Sequence, residues 1–207
     1  MYESLLDKNF PVVEFGSGTG RITLYLLKKG FTVYGIEKDE EYKNYFLEKL
    51  KSEKIFDKFS FINDTSEIDF YCNIIFPFNV LFYLNEDELE NEFRKICKVP
   101  FKKIIFETDN IIELRRDNFL TKHHQFNDKN FNEVVEFFDN VVLIKNEVKQ
   151  GKRVILKFNY ELFLHHASTL LKLYKTYFGQ YVFYGDFLLS KYMTSSTKLI
   201  AVINRTN

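Results

Sequence analysis

Thiols are scarce in this 207-residue chain: Cys72 and Cys97 are the only two. Two cysteines make no disulfide framework, and their spacing matches no metal-binding pattern. Buried free thiols in a reducing compartment, and no metal site, are the expectation. Charge of one sign is missing as well, since 29 Lys and Arg balance 29 Asp and Glu. Nothing global therefore steers the chain towards nucleic acid or an acidic membrane. Long hydrophobic runs are absent. The longest, Ile74 to Leu84, is broken by Pro77 and Asn79 and is too short to span a bilayer. No signal peptide opens the sequence, and no repeat or low-complexity linker interrupts it. A soluble cytoplasmic protein is expected. What the chain has in quantity is aromatic: 24 Phe and 13 Tyr within an ordinary apolar fraction, enough for a core of good size. The length suits one large domain, or one domain with an insertion.

Glycine is also sparse, yet three of the eight fall at alternate positions of one stretch, Val12-Val13-Glu14-Phe15-Gly16-Ser17-Gly18-Thr19-Gly20-Arg21. A short apolar run meets an acid, then the glycines, then a helical pattern. That is strand, tight turn, helix. Glycines there allow positive φ and leave no Cβ to block a ligand. The new helix presents unpaired N–H groups and a positive dipole end. The turn reads as a cradle for a nucleotide-like cofactor. The dinucleotide fingerprint would place its third glycine at position 21, where the chain has Arg21. An acid just before the loop does nothing for a pyrophosphate. It suits a cationic amino-acid moiety, whose ammonium Glu14 could meet.

Glu14 to Gly20, followed by Gly30-Phe31-Thr32-Val33-Tyr34-Gly35-Ile36-Glu37, resembles the first two motifs of class I S-adenosylmethionine-dependent methyltransferases. The resemblance covers most of residues 10–110 and, more loosely, 165–207. It is similar to the small-molecule branch that includes glycine and sugar-amine N-methyltransferases. It implies an α/β fold: a Rossmann-like, doubly wound, mostly parallel seven-stranded sheet with an antiparallel last strand. It implies S-adenosylmethionine as cofactor, held by Glu14, Gly16, Ser17, Gly18 and Gly20, by Glu37 and Lys38, and by Asp64 and Thr65, with Phe76 and Phe78 beside it. Glu37 would accept from the ribose hydroxyls, and Asp64 from the adenine amino group. As an unaided feature, Asp64 could equally cap a helix with Glu67 three residues later; the two roles can coexist.

Along the chain, Ile22, Tyr25, Leu26 and Lys29 fall at helical spacing, with Gly30 as the stop. Phe31–Ile36 predicts the second strand. Tyr42, Tyr45, Phe46 and Leu50 predict one buried helix face. Lys58–Ile62 and the run from Ile74 predict strands three and four, and Lys103–Phe106 predicts strand five. Asn85 and Glu88 have capping-box spacing, ahead of a buried face of Leu89, Phe93 and Ile96. Two places depart from the family pattern: Cys72 or Asn73 stands where an Asp is common, and Val99-Pro100-Phe101-Lys102 replaces a Pro-Gly-Gly turn.

Residues 1–110 and 164–207 are expected to form the cofactor-binding core. Residues 111–163 break the βα rhythm. Asn132–Phe138, Val141–Val148 and Arg153–Leu162 read as a half-buried antiparallel β-meander, with Gln150-Gly151-Lys152 as a turn. It would lie over the active site or serve as a homodimer contact. Leu170, Leu173, Tyr174, Tyr177 and Phe178 form a helical stripe, and Tyr181–Phe187 with Lys198–Ile203 a closing hairpin.

Methyl transfer from a sulfonium is an in-line displacement in which charge disperses, so a water-poor aromatic site suits it. Phe76, Phe78 and Tyr83 are candidate walls. An amine needs little base. A hydroxyl needs one, and His123, His124, Glu107 or Asp109 could serve. The expected activity is methyl transfer to N or O of a small molecule. The alternatives are RNA or protein as acceptor, given the basic stretch Arg94 to Lys103, and a non-catalytic binding subunit.

Overall fold

The computed structural model describes residues 1–111 and 122–205, without the side chains at 122–124 and 126. A short helix α1 (Tyr2–Leu5) leads to β1 (Val12–Phe15), the glycine turn and α2 (Arg21–Lys28). β2 (Val33–Ile36), α3 (Glu40–Glu53), β3 (Phe59–Ile62), β4 (Cys72–Phe76), α4 (Glu86–Ile96) and β5 (Phe101–Asp109) continue the alternation. After four further strands come α5 (Ala167–Tyr177), β10 (Tyr181–Tyr184) and β11 (Lys198–Asn204). The main sheet has seven strands in the order β10-β11-β5-β4-β1-β2-β3. β1 to β5 pair in parallel, and β11 runs antiparallel to both β5 and β10. This is the expected doubly wound sheet with its antiparallel last strand.

Strand alternation sends successive side chains to opposite faces. Val12, Ile75, Ile105 and Ile200 meet Leu26 of α2 and Phe46 and Leu50 of α3. Val13, Ile74 and Phe76 meet Phe93 of α4 and Tyr174 of α5. Each fully buried large apolar side chain contributes about 1.5–3 kcal/mol relative to exposure. The predicted capping box at α4 is present: Asn85 accepts from Glu88 N, and Glu88 accepts from Asn85 N. Asn73 stands where the family pattern often has an acid. It is fully buried, and its Nδ2 donates to the carbonyls of Asp7 at 2.8 Å and Phe10 at 3.2 Å. It fastens the segment before β1 to the sheet.

Several expectations are corrected here. β2 starts at Val33 rather than Phe31, and β5 at Phe101 rather than Lys103. Tyr42 and Tyr45 lie on the exposed side of α3, leaving Phe46 and Leu50 to the core. Tyr25 is also exposed; its hydroxyl donates to Glu3 at 2.7 Å and ties α2 to α1. Among the described residues no helix is long and apolar enough to cross a membrane.

The insertion is a separate antiparallel sheet of four strands: β6 (Lys122–Phe126), β7 (Lys129–Phe138), β8 (Val141–Gln150) and β9 (Arg153–Phe163). β6 was not among the expected strands. The sheet rests on the turn after β4: Val142, Ile144 and Leu164 cluster with Phe82. The half-buried reading of β9 fails in its first half. Val154, Leu156 and Phe158 are 40 %, 52 % and 42 % exposed, because the sheet projects beyond the Phe82 contact that covers its other half.

Candidate active site

The glycine turn sits at the carboxyl edge of the main sheet, where open α/β sheets bind ligands. Gly16, Gly18 and Gly20 all have positive φ, at 67°, 53° and 77°. A side chain at Gly16 would strike Val80, and one at Gly20 would strike the Phe46 ring. Those two glycines serve packing. Gly18 differs: a Cβ there would meet only Glu37 Oε2, at 4.0 Å. Its bare backbone is the part of the turn open to a ligand.

Glu37, just past β2, closes on this opening. Its Oε2 accepts from Gly18 N at 2.7 Å, and its Oε1 from Lys38 N at 2.8 Å and Asp39 N at 2.9 Å. A carboxylate has about four lone-pair sites, so Oε2 keeps capacity for a further donor. Lys38 itself is exposed. Asp64 follows β3 and caps a short 3-10 turn, Thr65–Glu67, accepting from Ser66 N at 2.5 Å and from Lys95 Nζ at 2.9 Å. The Ser66 bonds, then Lys95, hold its carboxyl down at about 2. Glu67 bonds Asn63 N at 3.1 Å, so the capping box expected with Asp64 does not form. Thr65 is buried, and so is Ser17, whose Oγ has no partner among the described residues.

Glu14 is not at the opening. It is 2 % exposed, and its Oε2 accepts from Thr23 Oγ1 at 2.5 Å. Burial raises its carboxyl to about 8, against the lowering effect of the Thr23 bonds. The acid fastens α2 to β1, and the expected meeting with a ligand's ammonium is not what this geometry provides.

The turn after β4 is the strained part of the site. Phe78 and Asn79 have φ of 51° and 59°, a region costing of order 1–3 kcal/mol for non-glycine residues. Several contacts hold it. Asn79 Oδ1 accepts from Asp109 N at 2.5 Å, and its Nδ2 donates to Asp109 Oδ2 at 2.7 Å. Phe78 N donates to Glu107 at 3.2 Å, and the Arg21 guanidinium lies 3.7 Å from the Phe78 ring centre. Glu107 is fully buried and also accepts from Tyr2 Oη at 2.8 Å and Lys198 Nζ at 3.2 Å. Burial and the Glu107 charge raise the Tyr2 phenol far above its usual range. Lys198 also pairs with Asp109 at 2.8 Å. Burial would lower its ammonium, but the two carboxylates outweigh that and raise it.

Phe76 is not a site wall. It is fully buried, stacked between Phe15 and Phe106 at 4.7 Å from each, because its position in β4 points it at the α4–α5 layer. Phe78 and Tyr83 are exposed at the edge. The Tyr83 ring lies 6.1 Å from that of Tyr160 on β9. Burial raises both phenols, that of Tyr160 to about 12. His123 and His124 belong to β6, opposite Asn132 and Phe131, and their side chains lie outside the described ones. His165 is structural: it is buried, with Nε2 2.9 Å from the Leu84 carbonyl oxygen. No group of three His, Cys, Asp or Glu able to hold a metal occurs among the described residues.

Tyr2 and Lys198 were given no role from the sequence, Arg21 was noted only as standing in place of a dinucleotide glycine, and Asn79 only as a break in the apolar run. Their partners lie far along the chain, so no local pattern marks them.

No protein-family model matches the chain. An uncharacterized methyltransferase of Bacillus mycoides is 34 % identical over 107 residues, half of this chain and half of that protein. The CcbJ methyltransferase of Streptomyces caelestis aligns over 99 % of this chain and 86 % of its own, at 19 % identity and a TM-score of 0.79. An S-adenosylmethionine-dependent methyltransferase of Clostridium acetobutylicum aligns over 99 % and 89 %, at 14 % identity and a TM-score of 0.76. CalS10, an amino pentose methyltransferase of Micromonospora echinaspora, aligns over 95 % and 84 %, at 11 % identity and a TM-score of 0.66. The chain has the Rossmann-like fold of these methyltransferases.

Proposed function

We propose that the protein is an S-adenosylmethionine-dependent methyltransferase acting on nitrogen or oxygen of a small molecule. One observation carries this: the open face of Gly18 lies under a carboxylate, Glu37, pinned by three backbone N–H groups at the edge of the sheet. These residues fit the cofactor. Glu37 has a lone pair to spare for a ribose hydroxyl, and Asp64 stands at the end of the next strand for the adenine side. When bound, S-adenosylmethionine supplies an electrophilic methyl group. The chain's own residues bind, orient and exclude water. Phe78 and Tyr83 border the space beyond the turn, and the inserted sheet covers it from the Phe82 side.

Glu107 is engaged by Tyr2, Phe78 N and Lys198, and Asp109 by Asn79 and Lys198. Both carboxylates are occupied as supports for the turn. That leaves His123 and His124 as the bases a hydroxyl would need, whereas an amine can arrive neutral, and the reading favours an amine. A macromolecular acceptor has less behind it. The basic stretch from Arg94 is largely spent: Arg94 pairs with Glu90, Lys95 with Asp64, and Lys103 Nζ donates to the Leu5 carbonyl. The curated relative is named a methyltransferase without an acceptor, and the amino pentose enzyme with this fold supports a small amine. Transfer of tritiated methyl groups to small amines and alcohols, with RNA and protein fractions assayed in parallel, tests the reading. Label is expected in a small amine. Label confined to RNA or protein, or bound cofactor without transfer to any acceptor, contradicts it.

A further inference from the structure

The inserted sheet buries an amide that the described residues leave unsatisfied. Asn146 on β8 is 3 % exposed, and neither its Oδ1 nor its Nδ2 has a hydrogen-bond partner. Buried polar groups without partners are few in native proteins and costly. The position of Asn146 supplies a reason for one here. Val142, Ile144 and Asn146 share a face of β8, and the first two pack on Phe82 of the main domain. Asn146 is the next step outward on that face, past the apolar contact. Its cross-strand neighbours are Glu133 on β7 and Phe158 on β9. The Phe158 ring stacks 6.4 Å from Tyr160, which lies 6.1 Å from Tyr83. Tyr83 itself stands four residues past Asn79 of the strained turn after β4. A line of rings therefore runs from the turn after β4 to the strand position opposite the unpaired amide.

We propose that Asn146 is a specificity-determining residue for the methyl acceptor. Its amide receives an uncharged group that both gives and takes a hydrogen bond, a hydroxyl or a primary amide, while Tyr83 and Tyr160 flank the acceptor's body. The inference rests on the methyltransferase reading and adds to it the chemistry of one end of the acceptor.

The test uses Asn146→Leu and two matched probes whose ring separates the amine from the other end, trans-4-(aminomethyl)cyclohexanemethanol and (trans-4-methylcyclohexyl)methylamine. A site built to bond a hydroxyl rejects the analogue lacking it. The wild type is expected to methylate the amino alcohol at least about tenfold better in kcat/KM, and Asn146→Leu to lose that preference. The variant's thermal midpoint should match or exceed that of the wild type, because two unsatisfied polar atoms are gone. Asn146→Ala, which adds no bulk, should lose the preference equally. S-adenosylhomocysteine affinity should stay within about threefold in both variants, a change under 1 kcal/mol. Equal use of both probes by the wild type, use of neither, a preference that survives in the variants, or a fall in the midpoint of Asn146→Leu overturns the inference. Failure of the wild type to bind S-adenosylhomocysteine is a separate result and overturns the cofactor reading beneath it.

Discussion

Glu14 and Glu37 are acids near the ends of neighbouring strands, and the fold gives them opposite work. Glu37 keeps a lone pair at the open face of the turn, while Glu14 is sealed inside with Thr23. Burial raises the Glu14 carboxyl from 4.5 to about 8. The folded protein therefore holds a proton that the unfolded chain has released by neutral pH. The stability linked to this proton is fully present below pH 4.5 and is lost as pH rises through about 8. Glu14→Gln still accepts from Thr23 and has nothing to titrate. Its thermal midpoint should fall less than that of the wild type between pH 5 and 8.5, and the gap should widen with pH. Parallel profiles over that range contradict the assignment. Position along the chain was enough to place Glu37 and Asp64 just past the ends of β2 and β3. It could not show that Glu14 turns inward, since the partner that holds it is nine residues on and burial is not written locally. Phe76 was misread for a similar cause: a continuous apolar strand does not say which face each residue takes.

The glycine turn, the apolar strands and the α4 capping box were legible because each is a short pattern with one physical meaning. β6, Lys122–Phe126, was not, because a polar strand without alternation carries no signal. The strained Phe78–Asn79 turn was equally hidden, its supports coming from β5 and β11. The inserted sheet was seen as a meander, but alternation alone overstated how much of β9 is covered. Its contact with Phe82 supports its proposed role as a roof over the acceptor. Replacing residues 111–163 by a short Gly-Ser linker should leave S-adenosylhomocysteine affinity within a few-fold, because Gly18, Glu37 and Asp64 are untouched. Methyl transfer should be abolished. Retained transfer, or transfer lost only together with a halved sedimentation mass, contradicts the roof role and favours a dimer contact.

At the scale of the whole molecule, two helical layers sandwich the main sheet, and the first helix and the start of the last strand meet at its carboxyl edge. Tyr2 from the first helix and Lys198 from the last strand meet at Glu107. With zero net charge, affinity has to come from local chemistry rather than a broad field. The central claim is that this edge holds S-adenosylmethionine through Glu37 and the bare Gly18 backbone. Calorimetric titration with S-adenosylhomocysteine and with NAD, on the wild type and on Glu37→Ala, tests it most directly. S-adenosylhomocysteine should bind the wild type and NAD should not. Glu37→Ala should weaken binding by roughly 10- to 100-fold, the loss of hydrogen bonds to a charged group at about 1.5–3 kcal/mol. NAD binding without a response to S-adenosylhomocysteine, or an affinity unchanged by Glu37→Ala, would contradict the claim.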